Sequence, residues 1–265
     1  MLKLPTHSLL RSLIATIVLL GLLSGGLAAP ATQPGLPSPA GEVATACTAC
    51  QEFDRLNSLV RDSRIARAEA KRDLARLLPA IREQYYLAGG RDYSRDTWVF
   101  PLQGYTPRAI AGGRRHGFAP RGYDWFSGNL HGGHPAVDIF IRDRDQDLRD
   151  DRTGEYVPVL SVTGGIVIAL AHDWQTSSRL RGGNYLWIYD PTNHLLVYYA
   201  HNRELAVGLG TIVKPGDRLA LVGRSGWNAA KRRSPTHLHF TILHTDTADL
   251  VPEDPYPALL HSRLP

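Results

Sequence analysis

Two histidines separated by a single leucine, His237 and His239, carry the clearest chemical signal in the sequence. They lie in residues 234–243, a run rich in Thr, Ile, Leu and Phe that predicts a β-strand. Because side chains alternate faces along a strand, both imidazoles point to one side, about 6 to 7 Å apart. One could hold a metal ion while the other acts on what the metal activates. A lone His-x-His is more often two half-buried polar residues, so its meaning depends on partners elsewhere in the chain.

The second signal is His134 followed four residues later by Asp138. Pro135 and the β-branched run at 139–141 argue against a helix. On a straight strand the two residues would lie about 13 Å apart, too far to share one ion at bond lengths of about 2.0 to 2.2 Å. The chain must therefore bend between them, with His134 entering from a loop and Asp138 from a strand. Gly132, Gly133 and Pro135 favour such a bend.

The third signal is His201, which follows the alternating strand-like run 195–200. A histidine at the end of a strand can project its imidazole over a cleft. Histidine titrates near neutral pH and is the usual catalytic base, although a surface residue is the more common interpretation of such a position taken alone.

Taken together, these residues fit one metal centre. His134, Asp138 and His239 would supply two nitrogen donors and one oxygen donor. Three protein ligands with one position open to water are the arrangement of a catalytic zinc site, and zinc lowers the pKa of bound water toward ~7. His201 and His237 are then the two free imidazoles, which could orient or deprotonate the water or donate to the oxyanion of a tetrahedral intermediate.

This pattern resembles the lysostaphin-type zinc metallopeptidases, which are peptidoglycan endopeptidases with a small β-sheet catalytic domain. The family pattern is His-x-x-x-Asp, then Tyr-x-His, then His-x-His, and the matching residues are 134–138, 199–201 and 237–239. The resemblance covers about residues 125–245 and includes their order, spacing and context. Supporting segments that also match are 157–159 with 161–167, 183–185, and 213–217 with 221–226.

The resemblance implies a function and a role for each site residue. His134, Asp138 and His239 are implied to bind one zinc ion, and His201 and His237 to be catalytic. The implied enzyme is a zinc metalloendopeptidase that hydrolyses peptide bonds in peptidoglycan cross-links. The alternative is a catalytically silent protein of the same fold that binds the cell wall or activates a hydrolase, although the intact ligand set favours the enzyme.

Two features depart from the family pattern. Ala136 replaces a glycine found in many members, a mild change that leaves the ligands intact. The insert at 227–235 is longer and more basic than the expected short turn. It is interpreted as a solvated loop, with a role in substrate access or contact with an anionic wall as the alternative.

The surrounding sequence predicts a mainly β domain over residues 98–250, an antiparallel sheet of sandwich or barrel type. The resemblance implies that this is a catalytic domain of lysostaphin-like fold. Residues 251–265 form a C-terminal tail. Turn signals rich in Gly, Pro, Asn and Asp separate the strand candidates. These candidates are 157–162, 165–171, 185–189, 195–200, 218–222 and 237–243.

An N-terminal helical segment is predicted over residues 46–90. Apolar residues at spacings of three and four mark one stripe along it, Pro79 is expected to break or kink it, and glycines 89–90 end it. The stripe needs a partner, and docking on the chain's own domain is favoured over a regulatory or dimerising role. Cys47 and Cys50 lie at its start. A local disulfide or two simple thiols is favoured over a redox motif or half of a metal site.

The beginning of the 265-residue chain predicts export. Residues 1–29 have the charged, apolar and small-residue regions of a signal peptide, with a retained anchor as the alternative, and residues 30–45 form a Pro-rich linker. Without Lys3 and Arg11, the formal charge of +5 becomes +3. A mildly basic exported protein suits an anionic surface in the periplasm or cell wall. The sequence has no Lys/Arg-rich block interleaved with aromatic residues, so nucleic acid is not the expected partner.

Two further histidine and acidic features are set aside. His131 lies three residues before His134 but has proline, not aspartate, four residues after it. Residues 143–147 resemble the start of a calcium loop but lack its later glycine and glutamate, so a solvated acidic loop is expected.

Overall fold

The computed structural model describes residues 47–247 and 249–265. The predicted signal peptide at 1–29 and linker at 30–45 lie outside the described residues. Within the described ranges, no helix is both long enough and apolar enough to cross a membrane.

The strands of the described residues form one nine-stranded antiparallel sheet. This confirms the mainly β fold class. The sheet order is β1-β8-β5-β4-β3-β6, while β7 pairs with β2 and β5, and β9 pairs with β8. The six predicted strands and the strand expected at Asp138 are all present, whereas the short strands β6 and β9 were not predicted. The strands are β1 Val137–Phe140, β2 Pro158–Leu160, β3 Gly165–Ala171, β4 Asn184–Asp190, β5 Leu195–Leu205, β6 Ile212–Val213, β7 Arg218–Val222, β8 His237–His244 and β9 Val251–Glu253.

Alternation along β8 divides the interior into two cores. On one face Leu238 and Phe240 are fully buried in a core that they share with β1, β2, β7 and the segment 98–110. On the opposite face Leu243 is fully buried in the second core. His237 and His239 lie on this second face, which is the face that the helices cover farther along the sheet.

Two helices, α1 (Thr48–Arg61) and α2 (Arg67–Leu87), replace the single predicted helix. The expected break at Pro79 is wrong, because α2 continues through that residue. Pro79 has no N–H, so the carbonyl of Ala75 loses its helical hydrogen-bond donor. Both residues are exposed, so water can solvate that carbonyl. The break lies at residues 62–66, where α1 ends.

The apolar stripe of the two helices packs against the sheet of the same chain, as the favoured interpretation expected. The helices contribute fully buried side chains to the second core, among them Phe53, Leu77, Ile81 and Tyr85. Strands β3, β4, β5 and β8 supply the other side of this core. The disulfide Cys47–Cys50, the first of the alternatives considered, joins residues at the start of α1.

The last residues return to the sheet. β9 pairs with β8, and the helix α3 (Pro255–Leu260) buries Leu259 in the first core. The predicted tail at 251–265 therefore contains a strand and a helix that pack on the domain. The exact boundaries of the predicted segments remain predictions.

Replacement of Phe53 by alanine is expected to lower the free energy of unfolding by about 3–5 kcal/mol, because it leaves a cavity between α1 and the sheet. Phe53 is fully buried, and its ring lies 6.2 Å from that of Trp125. Denaturant unfolding measures the change. The control Gln51→Ala, on the exposed face of α1, should stay within about 0.5 kcal/mol. A loss no larger than the control's would contradict the packing of α1 as part of the core.

Candidate metal centre

Strand register brings the predicted site residues together. Asp138 of β1 pairs directly with His239 of β8, and His239 pairs on its other side with Ala200 of β5. His201 follows Ala200, so three strands contribute to one place on the sheet. His134 lies in the loop before β1, held by backbone hydrogen bonds to Ala119 in both directions. The expected bend between His134 and Asp138 is therefore present.

Three donor atoms converge at this place. His134 Nε2 lies 3.4 Å from Asp138 Oδ1, and His239 Nδ1 lies 3.1 Å from the same oxygen. All three donor atoms lie within 4.8 Å of one another. Ligands bound to a tetrahedral ion at about 2.0–2.1 Å are separated by about 3.3 Å. The two measured separations match that spacing, so His134, Asp138 and His239 could hold a metal ion.

Backbone carbonyls set the tautomers of three histidines. The Nδ1–H of His134 donates to Gly117 O at 2.9 Å, that of His201 to Ser225 O at 2.8 Å, and that of His237 to Pro235 O at 2.7 Å. A carbonyl can only accept, so each ring carries a proton on Nδ1, and Nε2 is the nitrogen that has the lone pair when the ring is neutral. Each Nε2 is thereby left for the site.

Burial and mutual contacts set the charges of these groups. Burial opposes the ionisation of Asp138, but its hydrogen bonds with His134 and His239 outweigh it and hold the pKa of the carboxyl far below its usual range. Burial lowers the pKa of His201 well below the usual value and also lowers that of His239. Burial also acts to lower the pKa of His134, but Asp138 outweighs it and the pKa is raised. At neutral pH, Asp138 is ionised and His201 is neutral.

His201 does not end its strand, and that expectation is wrong. β5 continues to Leu205, and His201 lies inside it at φ +66°, just before an irregularity in the pairing with β7. Positive φ is uncommon for a residue with a side chain and is held here by the hydrogen bond from His201 N–H to Gly182 O at 2.9 Å. The ring lies 5.0 Å from that of His237 and 5.4 Å from that of His239.

Gly226 has to be a glycine for His201 to occupy this position. Its φ is +110°, and a Cβ would lie 2.4 Å from Arg181 O and 2.8 Å from His201 Nδ1. Any side chain at this position would collide with the imidazole or with the backbone beside it.

A cleft of about 300 Å³ opens over these residues, and sequence reasoning missed most of its lining. Its contributors come from α1, from the 3₁₀ segment Trp125–Leu130 and from β4 and β5. Those from α1 are distant in sequence from the histidine motifs, whereas Tyr198 lies on the same strand as His201, and Asn228 and Ser234 lie in the insert that was considered for a role in substrate access. The lining residues outside the five predicted ones include Asn57, Val60, Arg61, Tyr123, Trp125, His131, Arg181, Tyr185, Trp187, Tyr198, Asn228 and Ser234.

The residues set aside earlier occupy different places. His131 lines the cleft, but its Nδ1 lies 2.8 Å from Gly132 O and its ring packs edge-on against Tyr123. The expectation of a solvated acidic loop is wrong for Asp143, which is buried and accepts hydrogen bonds from the backbone N–H groups of Asp147 and Leu148. Backbone donors replace water around this carboxylate.

The basic insert at 227–235 contributes to both the cleft and the surface. Asn228 and Ser234 line the cleft, whereas Arg232 and Arg233 are exposed. The insert therefore borders access to the site, and its two arginines face solvent beside it.

Residues 149–251 match the model of Peptidase family M23, which confirms the family resemblance drawn from the sequence. The matched residues include His201, His237 and His239, whereas His134 and Asp138 precede them.

Two solved structures are similar to this chain. One is a zinc-containing peptidase from Vibrio cholerae, at 24% identity and a TM-score of 0.38, with 66% of this chain and 41% of that one covered. The other is the antimicrobial peptidase lysostaphin from Staphylococcus simulans, at 20% identity and a TM-score of 0.39, with 60% and 53% covered. The chain thus spans about two fifths and about half of their lengths. At this level the likenesses say nothing of activity.

Proposed function

We propose that this chain, whose residues 149–251 belong to peptidase family M23, is an exported zinc metalloendopeptidase that hydrolyses peptide bonds in the cross-links of bacterial peptidoglycan. The observation that carries the proposal is the convergence of three metal donors with two free imidazoles at one end of a cleft. A peptide cross-link is the substrate that the family resemblance implies.

The proposed zinc ligands are His134 Nε2, Asp138 Oδ1 and His239 Nδ1. Two imidazole nitrogens and one carboxylate oxygen suit zinc, and three protein donors leave one position open. Zinc bound in this way lowers the pKa of water toward ~7 and polarises a substrate carbonyl. The hydrogen bond from His134 Nδ1–H to Gly117 O orients that ring toward the other two donors.

The two remaining histidines would move protons. Burial keeps His201 neutral, so its Nε2 can accept a proton from the attacking water and later give it to the leaving nitrogen. His237 Nε2 lies 3.7 Å from Asp138 Oδ1, beside the donor set. From there it can orient the water or, when protonated, donate to the carbonyl oxygen as the carbon becomes tetrahedral.

Export to the periplasm or cell wall is supported by the predicted signal peptide at 1–29. A second, independent support is the Cys47–Cys50 disulfide, because disulfides persist in oxidising compartments outside the cytosol. The net positive charge of the chain suits an anionic polymer.

Digestion of purified peptidoglycan by the zinc-loaded protein tests the activity. We expect loss of cross-linked fragments and new peptide ends by mass spectrometry, with cleavage abolished by a chelator and restored by zinc. An unchanged fragment profile would contradict the proposal. Co-sedimentation with the polymer without cleavage would instead identify a binding protein, the alternative drawn from the sequence.

Two alanine variants distinguish the role proposed for His239 as a zinc ligand from the role proposed for His237 as a catalytic residue. His239→Ala should lose stoichiometric zinc and activity together. His237→Ala should keep the zinc and lose about 10²- to 10⁴-fold in rate, as expected for loss of a positioned proton-transfer group. Atomic absorption measures the metal, and peptidoglycan turnover measures the rate.

The matched control is His261→Ala, an exposed histidine far along the chain that should change neither quantity. Loss of zinc from His237→Ala with retention by His239→Ala would overturn the assignment of roles.

A further inference from the structure

Two arginines line the cleft, and their charges are balanced differently. Arg61 donates from Nε and Nη2 to both carboxylate oxygens of Asp62 at 2.8 Å, and from Nη1 to Tyr185 Oη at 3.0 Å. Its charge is neutralised by its neighbour, and it supports the tyrosine. Arg181 has no carboxylate partner among residues 47–247 and 249–265.

Backbone carbonyls hold the guanidinium of Arg181 in place. Its Nη1 donates to Asn129 O and to His131 O, both at 3.1 Å. Carbonyl dipoles fix the orientation of the group but leave its positive charge uncompensated. Both bonds use Nη1, so the Nε and Nη2 donors are left for a ligand. An oriented cation with no counter-ion is therefore built into the lining of the cleft.

The backbone of Arg181 lies beside His201, and its side chain lines the same cleft. Its own carbonyl lies against the Gly226 backbone that borders the His201 ring, and the next residue, Gly182, accepts the His201 N–H. Its guanidinium reaches the loop that ends at His134. Arg181 thus bridges the two walls that carry the proposed catalyst and a proposed ligand.

The carboxylate and aromatic groups in the cleft favour pairing of Arg181 with a bound ligand over pairing with a carboxylate of the protein itself. The Asp138 carboxylate is already engaged with His134 and His239. Trp187 and Tyr198, stacked at 4.4 Å, give the cleft an apolar wall where a charge pair is stronger than in water.

We propose that Arg181 is a specificity-determining residue that pairs with a free carboxylate of the substrate peptide next to the scissile amide. This inference rests on the proposed function, because it assigns a substrate class to the same site. A planar guanidinium matches a carboxylate with parallel hydrogen bonds, a geometry that lysine lacks. The preferred substrate is therefore an anionic peptide rather than a neutral one.

The test uses two synthetic cross-link peptides that differ only in a carboxylate or a carboxamide beside the scissile bond. Tryptophan fluorescence of the cleft reports their binding to protein kept free of metal by a chelator. Wild type should bind the carboxylate form about 10-fold more tightly or better, the range for hydrogen bonds to charged groups. Arg181→Gln should bind both peptides equally, and Arg181→Lys should keep only part of the preference.

The matched control is Arg179→Gln, an exposed arginine two residues away. It should keep the wild-type preference. Equal affinity of wild type for the two peptides would overturn the inference, even if Arg181→Gln did not fold. So would a preference that survives in a folded Arg181→Gln.

Cleavage by the zinc-loaded protein separates this inference from the proposed function. A residue that only positions the His131 loop would lower kcat for both peptides alike and leave the ratio of their kcat/KM values unchanged, which would overturn the inference. Discrimination in binding with no cleavage of either peptide would contradict the proposed function and leave the carboxylate site standing. Cleavage of both peptides without discrimination between them would contradict the carboxylate site and leave the proposed function standing.

Discussion

The pairing of β1 with β8 is the constraint on which the whole site depends. It sets Asp138 opposite His239, so two donors from residues 101 apart in the chain lie 3.1 Å from each other. A slip of one residue would turn every side chain of β8 to the other face. The full burial of Leu238 and Phe240 in the first core prevents such a slip, because it would expose them and bury the imidazoles in an apolar core. The apolar residues between the histidines therefore fix the geometry of the polar ones.

A second layer of order comes from backbone carbonyls around the site. Ser225 and Pro235 each accept an Nδ1–H, so the rings of His201 and His237 are turned with Nε2 toward the cleft. The positive φ of His201 stores strain that the Gly182 hydrogen bond and the space left by Gly226 make tolerable. Hydrogen bonds within the fold thus orient these rings, and such fixed orientation is the condition for efficient electrostatic catalysis.

Sequence reasoning predicted the parts that depend on local patterns. Alternation in β8 placed His237 and His239 on one face, and Pro135 with its neighbouring glycines predicted the bend before Asp138. The left-handed backbone of His201 was not predictable, because it follows from contacts made by residues 182 and 226. Pro79 did not break α2, since Leu77 and Ile81 on either side of it are buried in the second core and water can solvate the carbonyl that it leaves unpaired.

The residues that line the cleft could not be predicted from the sequence for a related reason. α1 reaches the site only because its apolar face docks on the sheet, and no spacing in the sequence indicates which residues at its end will face the histidines. The uncompensated charge of Arg181 is likewise a property of the folded chain, since it depends on which carboxylates fail to come near it. Local periodicity predicts ligands on strands, whereas tertiary packing decides the walls around them.

We expect His134, Asp138 and His239 together to hold one zinc ion while His201 and His237 stay free. Anomalous scattering from crystals of the zinc-loaded protein, collected on both sides of the zinc edge, locates the ion. One peak is expected, bonded to His134 Nε2, Asp138 Oδ1 and His239 Nδ1 at about 2.0–2.2 Å from each atom. A peak bonded to His201 or His237 in place of one of these ligands, or the absence of a peak at this position, would contradict this assignment.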